Sequence, residues 1–236
     1  MHPKLEGHTV ARYDSELSRL FEWFLEMGGF TLHLVGRVIG AMEHLNAEEA
    51  RSAMVDDAQI NALERSVDEE IAKLLARRAP LAHDLRVVLA ISKAASDLER
   101  IGDECKRIGE VVVHIVEGKN GAEPSASLLY DTKRMGAMVS TMLRGSLEVF
   151  DKLDADKAAA VLVEQHALEE QFDASLRRLA TFMLEDVRSI GLVIDVLLVT
   201  KALERIGDYS KNVAQQVIYL GRGEDVRHRS PANAGR

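Results

Sequence analysis

Cysteine is nearly absent from this sequence. Cys105 is the only one among 236 residues, so no intramolecular disulfide can form and a reducing compartment is expected. Proline occurs at Pro3, Pro80, Pro124 and Pro231 only, and none of these interrupts a long segment, which leaves room for long helices. Aromatic residues make up 5% of the chain, while Ala, Leu, Glu, Arg and Lys are abundant, a composition that favours helix. Long apolar runs are also missing. The most apolar stretch, Ile190 to Thr200, contains Asp195 and is too short to span a bilayer. The segment Met1 to Val10 is polar, so no signal peptide is expected. Positive charge is outweighed, with a net charge of −8, which argues against nucleic acid as a partner. There is no Gly-x-Ser-x-Gly, no P-loop and no Gly-rich phosphate cradle, so nucleophilic hydrolysis lacks its usual machinery.

What is present is helical periodicity. Phe21, Phe24, Gly28, Thr31, Val35, Val38, Met42 and Leu45 recur at a spacing of three or four and predict a helix from about Ser15 to Leu45. Asn46 is a candidate cap for the segment after it. A second helix is predicted over Asp56 to Ala79, closed by Pro80. A third runs from Asp84 to Glu117 on the seam Val87, Ile91, Ala94, Leu98, Ile101, Cys105, Ile108, Val112, Ile115. Three more patterns come after it, over Leu128–Leu153, Asp154–Glu185 and Ser189–Leu220. The expected organisation is a first unit over 1–120, a second over 121–222 and a flexible polar tail over 223–236.

The second half repeats the first. Glu99-Arg100-Ile101-Gly102-Asp103 recurs as Glu204-Arg205-Ile206-Gly207-Asp208 at an offset of 105. The same offset carries Leu63-Glu64 onto Leu168-Glu169 and Asp68 onto Asp173. Met27-Gly28 matches Met135-Gly136 only at an offset of 108, which places about three extra residues of the first copy near Arg51 to Asp57.

Each copy thus holds two Glu-x-x-x-Asp pairs: Glu64/Asp68 and Glu99/Asp103, then Glu169/Asp173 and Glu204/Asp208. Residues four apart share one helix face, where like charges repel by about 0.2–0.5 kcal/mol. If the second and third helices form a hairpin, Asp68 with Glu99 and Glu64 with Asp103 share a midpoint at 83.5. In the second copy the shared midpoint is 188.5. Four carboxylates at one level do not stay ionised together unless a cation neutralises them or their pKa values rise, and oxygen-only donors suit Mg, Ca, Mn or ferric iron. Gly102 and Gly207, costly inside helices, are expected to admit a neighbouring backbone or leave room for a metal cluster. The alternative is a solvated acidic face, salt-bridged to Arg65, Arg100, Arg205 and Lys106, that binds basic partners without metal.

These residues resemble the PhoU family. The doubled Glu-Arg-Ile-Gly-Asp carries the resemblance, with Ala76-Arg77-Arg78-Ala79-Pro80 leading to Asp84-Leu85-Arg86. So does the ending: Asn212-Val213, Ile218-Tyr219-Leu220 and Gly223-Glu224-Asp225-Val226-Arg227-His228. The resemblance implies an all-α molecule of two tandem three-helix bundles, six long helices in one elongated body. It implies metal ions at the Glu/Asp-x-x-x-Asp pairs of each bundle: iron, manganese, magnesium or zinc. It implies a cytoplasmic, non-enzymatic, metal-binding negative regulator of phosphate uptake and of phosphate-starvation two-component signalling. Such a protein acts as an adaptor between the ATPase subunit of the phosphate ABC transporter and a sensor histidine kinase. It forms homodimers and meets the membrane only through those partners. Glu185-Asp186-Val187 departs from the family pattern, in which a proline often follows the acid.

The rival reading is a di-metal carboxylate bundle enzyme of the oxidase type. Such sites use Glu-x-x-His, which this chain lacks; Glu110 and His114 are four apart and have no counterpart in the second copy. His33, His44, His83 and His166 read as surface or core residues, and Cys105 as a buried inert thiol. Arg86, Arg100 and Arg205 read as ordinary ion-pair partners in preference to phosphate contacts.

Overall fold

Helix accounts for every regular element among the described residues, which in this computed structural model are 11–78, 80, 82–118 and 124–222. The helices are α1 (Ala11–His44), α2 (Ala47–Arg78), α3 (Ala82–Glu117), α4 (Tyr130–Lys152), α5 (Ala155–Glu185) and α6 (Ile190–Arg222), with a short 3₁₀ turn at Val187–Ser189 before α6. The polar tail over 223–236 and most of the expected N-terminal arm lie outside the described residues.

The largest departure from the periodic pattern is the start of α2, which lies at Ala47 and not at the predicted Asp56. Leu45 turns the chain through the left-handed region at φ 50°. Asn46 Oδ1 then accepts the Glu49 N–H at 3.0 Å, the N-cap contact that satisfies an orphan donor of the first turn. The buried face of these opening turns is Ala50, Ala53 and Asp57, so no large apolar side chain marks them. The same turn recurs between α4 and α5. Leu153 has φ 47°, and Asp154 Oδ1 accepts the Lys157 N–H at 3.1 Å.

That recurrence corrects the internal register. Burial along α2 and α5 coincides at an offset of 108: Ala50 with Ala158, Ala53 with Val161, Asp57 with Gln165, Ile60 with Leu168, Val67 with Ser175 and Ile71 with Leu179. The offset of 105 begins only at α3. The three extra residues of the first copy therefore fall at its α2–α3 turn, not near Arg51–Asp57. The matches of Leu63-Glu64 with Leu168-Glu169 and of Asp68 with Asp173 are coincidences of composition. Spatial counterparts are instead Asp57 with Gln165 and Asn61 with Glu169.

Each unit is a three-helix bundle, α1–α3 and α4–α6, and the two share one hydrophobic core. The most extensive helix–helix contact of the fold joins them, where α3 runs antiparallel to α6. Arg205 Nη1 reaches Glu104 Oε1 at 3.1 Å. The Arg100 guanidinium stands over the Tyr209 ring at 5.9 Å, and Asn212 Nδ2 lies 3.4 Å from Asp97 Oδ1. Arg205 and Arg100 are thus occupied structurally, as the ion-pair reading expects.

A second crossing, α1 on α4, depends on glycine. A Cβ on Gly28 would collide with the Leu147 methyl groups, and one on Gly136 would lie 3.0 Å from Ile39. At the offset of 108, Gly28 corresponds to Gly136 and Ile39 to Leu147, so the contact is made twice. Beside it Phe24 stacks on Phe150 with ring centroids 4.3 Å apart. Both rings are fully buried, each contributing about 1.5–3 kcal/mol.

Candidate metal centre

The repeated glycine of each copy positions the acids. In the first unit, Gly102 of α3 faces α2, and a Cβ there would stand 2.7 Å from Asp57 Oδ1. Its absence lets the Asp57 carboxylate lie directly on α3; the neighbour admitted is a side chain, not a backbone. Asp57 is 5% exposed. Asn61 Nδ2 donates to Oδ2 at 3.2 Å, while Oδ1 is buried with no hydrogen-bond partner. Burial raises the Asp57 pKa, and the charge of Asp103 raises it further; Lys106 and the Asn61 hydrogen bond pull the other way. Asp57 and Asp103 are equidistant along the chain from Pro80, which sits at the α2–α3 turn.

The predicted first-unit acids gather around this pair. Glu99 is half-buried, and its pKa is raised by burial and then by Asp103, Glu64 and Asp57. Glu64 is raised by burial, then by Asp68 and more weakly by Asp103. Asp68 is exposed and sits at the edge of the group. The hairpin level deduced from sequence is therefore displaced. Asp57 stands across from Asp103, and Glu64 and Asp68 lie farther toward the turn. No ion pair reaches Asp57, Glu64, Asp68, Glu99 or Asp103 among the described residues. The expected bridges from Arg65, Arg100 and Lys106 act on these acids only at longer range.

Asp57 is absent from the acids singled out by sequence, although its signal is present there. It falls on the α2 stripe of Ile60, Val67, Ile71 and Leu74, an acid at a core position, where burial costs free energy unless a partner compensates. The carboxylates are neighbours rather than a closed cage: no three Asp, Glu, His or Cys among the described residues converge as ligands of one ion. The donor chemistry nonetheless fits a hard cation, since all the groups are oxygen donors and one buried oxygen is bare.

The second unit is built differently. Gln165 stands where Asp57 does, donating from Nε2 to Asp208 Oδ1 at 2.8 Å and to Glu169 Oε1 at 3.5 Å. Lys211 Nζ reaches Asp208 at 2.9 Å and Lys201 Nζ reaches Glu204 at 2.6 Å. Glu169 also faces His166 at 3.6 Å. Asp173 is exposed and, in the corrected register, corresponds to Arg65. Gln165 thus links Glu169 to Asp208, Glu204 lies one turn from Asp208 on α6, and Asp173 stands outside.

The remaining candidates are structural. Cys105 is fully buried and its thiol pKa is pushed far up by desolvation and then by Asp57 and Glu104. His33, His44 and His166 are exposed or partly so, and His114 faces Asp195 across the α3–α6 contact at 3.8 Å.

Comparison with known proteins follows the same division of the chain. The PhoU domain family matches residues 24–112, within α1–α3, and again 132–217, within α4–α6. The phosphate-specific transport system accessory protein PhoU homolog of Pseudomonas putida is 38% identical, over 95% of this chain and 86% of its own length. The crystal structure of PhoU from Pseudomonas aeruginosa superposes with a TM-score of 0.85 at 35% identity, over 90% of this chain and 100% of that one. The phosphate transport system regulatory protein PhoU from Streptococcus pneumoniae gives a TM-score of 0.82 at 28% identity, over 91% and 99%.

Proposed function

The chain belongs to the PhoU family, and from that premise we propose that it is an accessory regulator that restrains phosphate uptake and phosphate-starvation gene expression. The link to phosphate transport is supported by the names of its relatives, an accessory protein of the phosphate-specific transport system in one case and a phosphate transport regulator in another. On this reading the chain is a cytoplasmic homodimer. It docks on the ATPase subunit of the phosphate ABC transporter and on a sensor histidine kinase. No described helix is long and apolar enough to cross a membrane, so docking would be its route to one.

Metal binding is the second part of the proposal, and one observation carries it: the bare, buried Asp57 Oδ1 lying against Gly102 among three further acids. Asp57 and Asp103, facing each other across the α2–α3 contact, would hold the cation, with Glu64 and Glu99 adding negative charge beside them and Asp68 at the rim. The cation would neutralise charges that now repel one another; the all-oxygen donor set favours magnesium, manganese or iron over zinc. The neutralised patch would then present a defined docking surface.

The test is capture of the transporter ATPase subunit by the tagged chain, with and without chelator, beside elemental analysis of chain purified free of chelator and of column nickel. Metal-dependent capture supports both parts. Capture that chelation leaves untouched removes the metal from the docking mechanism. Failure to capture the subunit under any condition removes the adaptor role.

A further inference from the structure

The two units share the Glu-Arg-Ile-Gly-Asp segment but differ in the groups that face its acids. Asp57 of the first unit is replaced by Gln165, and Ser96 by Lys201. In the second unit both acids of the repeated segment hold an ammonium group, Glu204 from Lys201 at 2.6 Å and Asp208 from Lys211 at 2.9 Å. Asp208 accepts the Gln165 amide as well. Lys106, the counterpart of Lys211, makes no ion pair with Asp103, and Asp57, Glu64, Asp68, Glu99 and Asp103 hold no ammonium or guanidinium group within ion-pairing distance among the described residues. Gln165 Oε1 is buried without a partner, as Asp57 Oδ1 is. It belongs, however, to a neutral amide whose donor end is already engaged.

From this contrast we infer that cation binding, as proposed above, resides in the first unit alone. In the second unit Lys201, Lys211 and Gln165 do internally what the metal does in the first. A divalent ion entering between Glu204 and Asp208 would have to displace two ammonium groups within about 3 Å of those carboxylates. An ion entering the first unit meets only unpaired carboxylates and the bare oxygen of Asp57. The second unit holds an ion-pair network where the first holds the proposed metal centre.

This inference rests on the metal reading of the first unit, and the experiment separates the two. Chelated, desalted full-length chain is titrated with Mn²⁺ by equilibrium dialysis, with melting temperature followed in parallel. The variants are D57N/D103N, E204Q/D208N and K201A/K211A, each checked for native helicity by circular dichroism. Wild type and E204Q/D208N are expected to bind the same number of ions with the same thermal shift. D57N/D103N should bind at least ten-fold more weakly. K201A/K211A should melt lower than wild type in chelator and bind additional Mn²⁺. Loss of about half the bound metal in E204Q/D208N overturns the inference and leaves the metal reading of the first unit standing, whereas full retention of metal in D57N/D103N overturns both. Absence of Mn²⁺ from every protein, wild type included, overturns the metal reading and the contrast built on it.

Discussion

Replacing Asp57 by Asn is expected to stabilise the chain in chelator and to lose that advantage in saturating metal. The amide keeps the shape of the carboxylate, and its oxygen can still accept from Asn61 Nδ2. It removes a charge that is 5% exposed, has one oxygen unpartnered and lies beside Asp103. The amide leaves a polar atom at the same bare place, so the gain is the excess cost of burying a charge there over a neutral group, on the order of 1–3 kcal/mol, and each kcal/mol moves the melting temperature of a chain this size by about 2–4 °C. In chelator the variant should therefore melt higher than wild type, by about 2–12 °C. Saturating metal closes this gap, and reverses the order where the variant's lead is smaller than the binding energy of the cation. At a hundred times its dissociation constant, a cation that binds only the folded chain adds about 2.7 kcal/mol, a further rise of about 5–10 °C. Wild type gains this and the variant does not. Differential scanning calorimetry in chelator and in Mn²⁺ reads both effects. A variant that melts lower than wild type in chelator would show that the Asp57 charge is compensated within the fold. A full Mn²⁺ shift in the variant would show that Asp57 is no ligand. Either result refutes the reasoning.

The same geometry sets further expectations. Asp57, Glu64 and Glu99 all have pKa values raised in the folded chain, so the folded state binds their protons more tightly than the unfolded state does. Their repulsion is fully present above the raised values and fully relieved below the ordinary carboxylate value of about 4. Urea titrations of metal-free protein should thus show these acids adding stability as pH falls through that window, and D57N should flatten the rise. Gly28→Val should cost about 1–3 kcal/mol by overpacking against Leu147, and Leu147→Ala in the same chain should recover part of it, measurable as a double-mutant cycle. Gly36→Ala, where a Cβ meets nothing within 4 Å, should instead stabilise by about 0.5–1 kcal/mol. Cys105 should react with a thiol reagent only at the rate of unfolding, because its thiol is buried and protonated; rapid labelling of the native chain would contradict its place in the core.

Six helices and a duplicated organisation are readable from the chain because their apolar seams are long and regular. The opening of α2 is not, since Ala50 and Ala53 bury faces too small to register as periodic hydrophobicity. The register of α5 is hidden for a different reason. Leu-Glu is a common pair in helices, and its recurrence at 63 and 168 outweighs an alternation of burial that sequence alone does not display. That slip conceals the equivalence of Asp57 with Gln165. The candidate site is therefore half legible. The repeated Glu-Arg-Ile-Gly-Asp marks α3 and α6 correctly, whereas the facing residues on α2 and α5 depend on where each hairpin turns.

Gly28 meets Leu147 while Gly136 meets Ile39, and in such a crossing residue i touches j and j touches i, the rule for an isologous dimer. Two free copies of one half would be bound by that rule everywhere. Every substitution would appear twice, and both flanks would stay chemically alike. A single tethered chain escapes it. The Arg100–Tyr209 contact and the Arg205–Glu104 pair occupy places related by the pseudo-two-fold axis with different partners, so this molecule varies one side of the pair independently of the other while keeping the skeleton of a symmetric dimer.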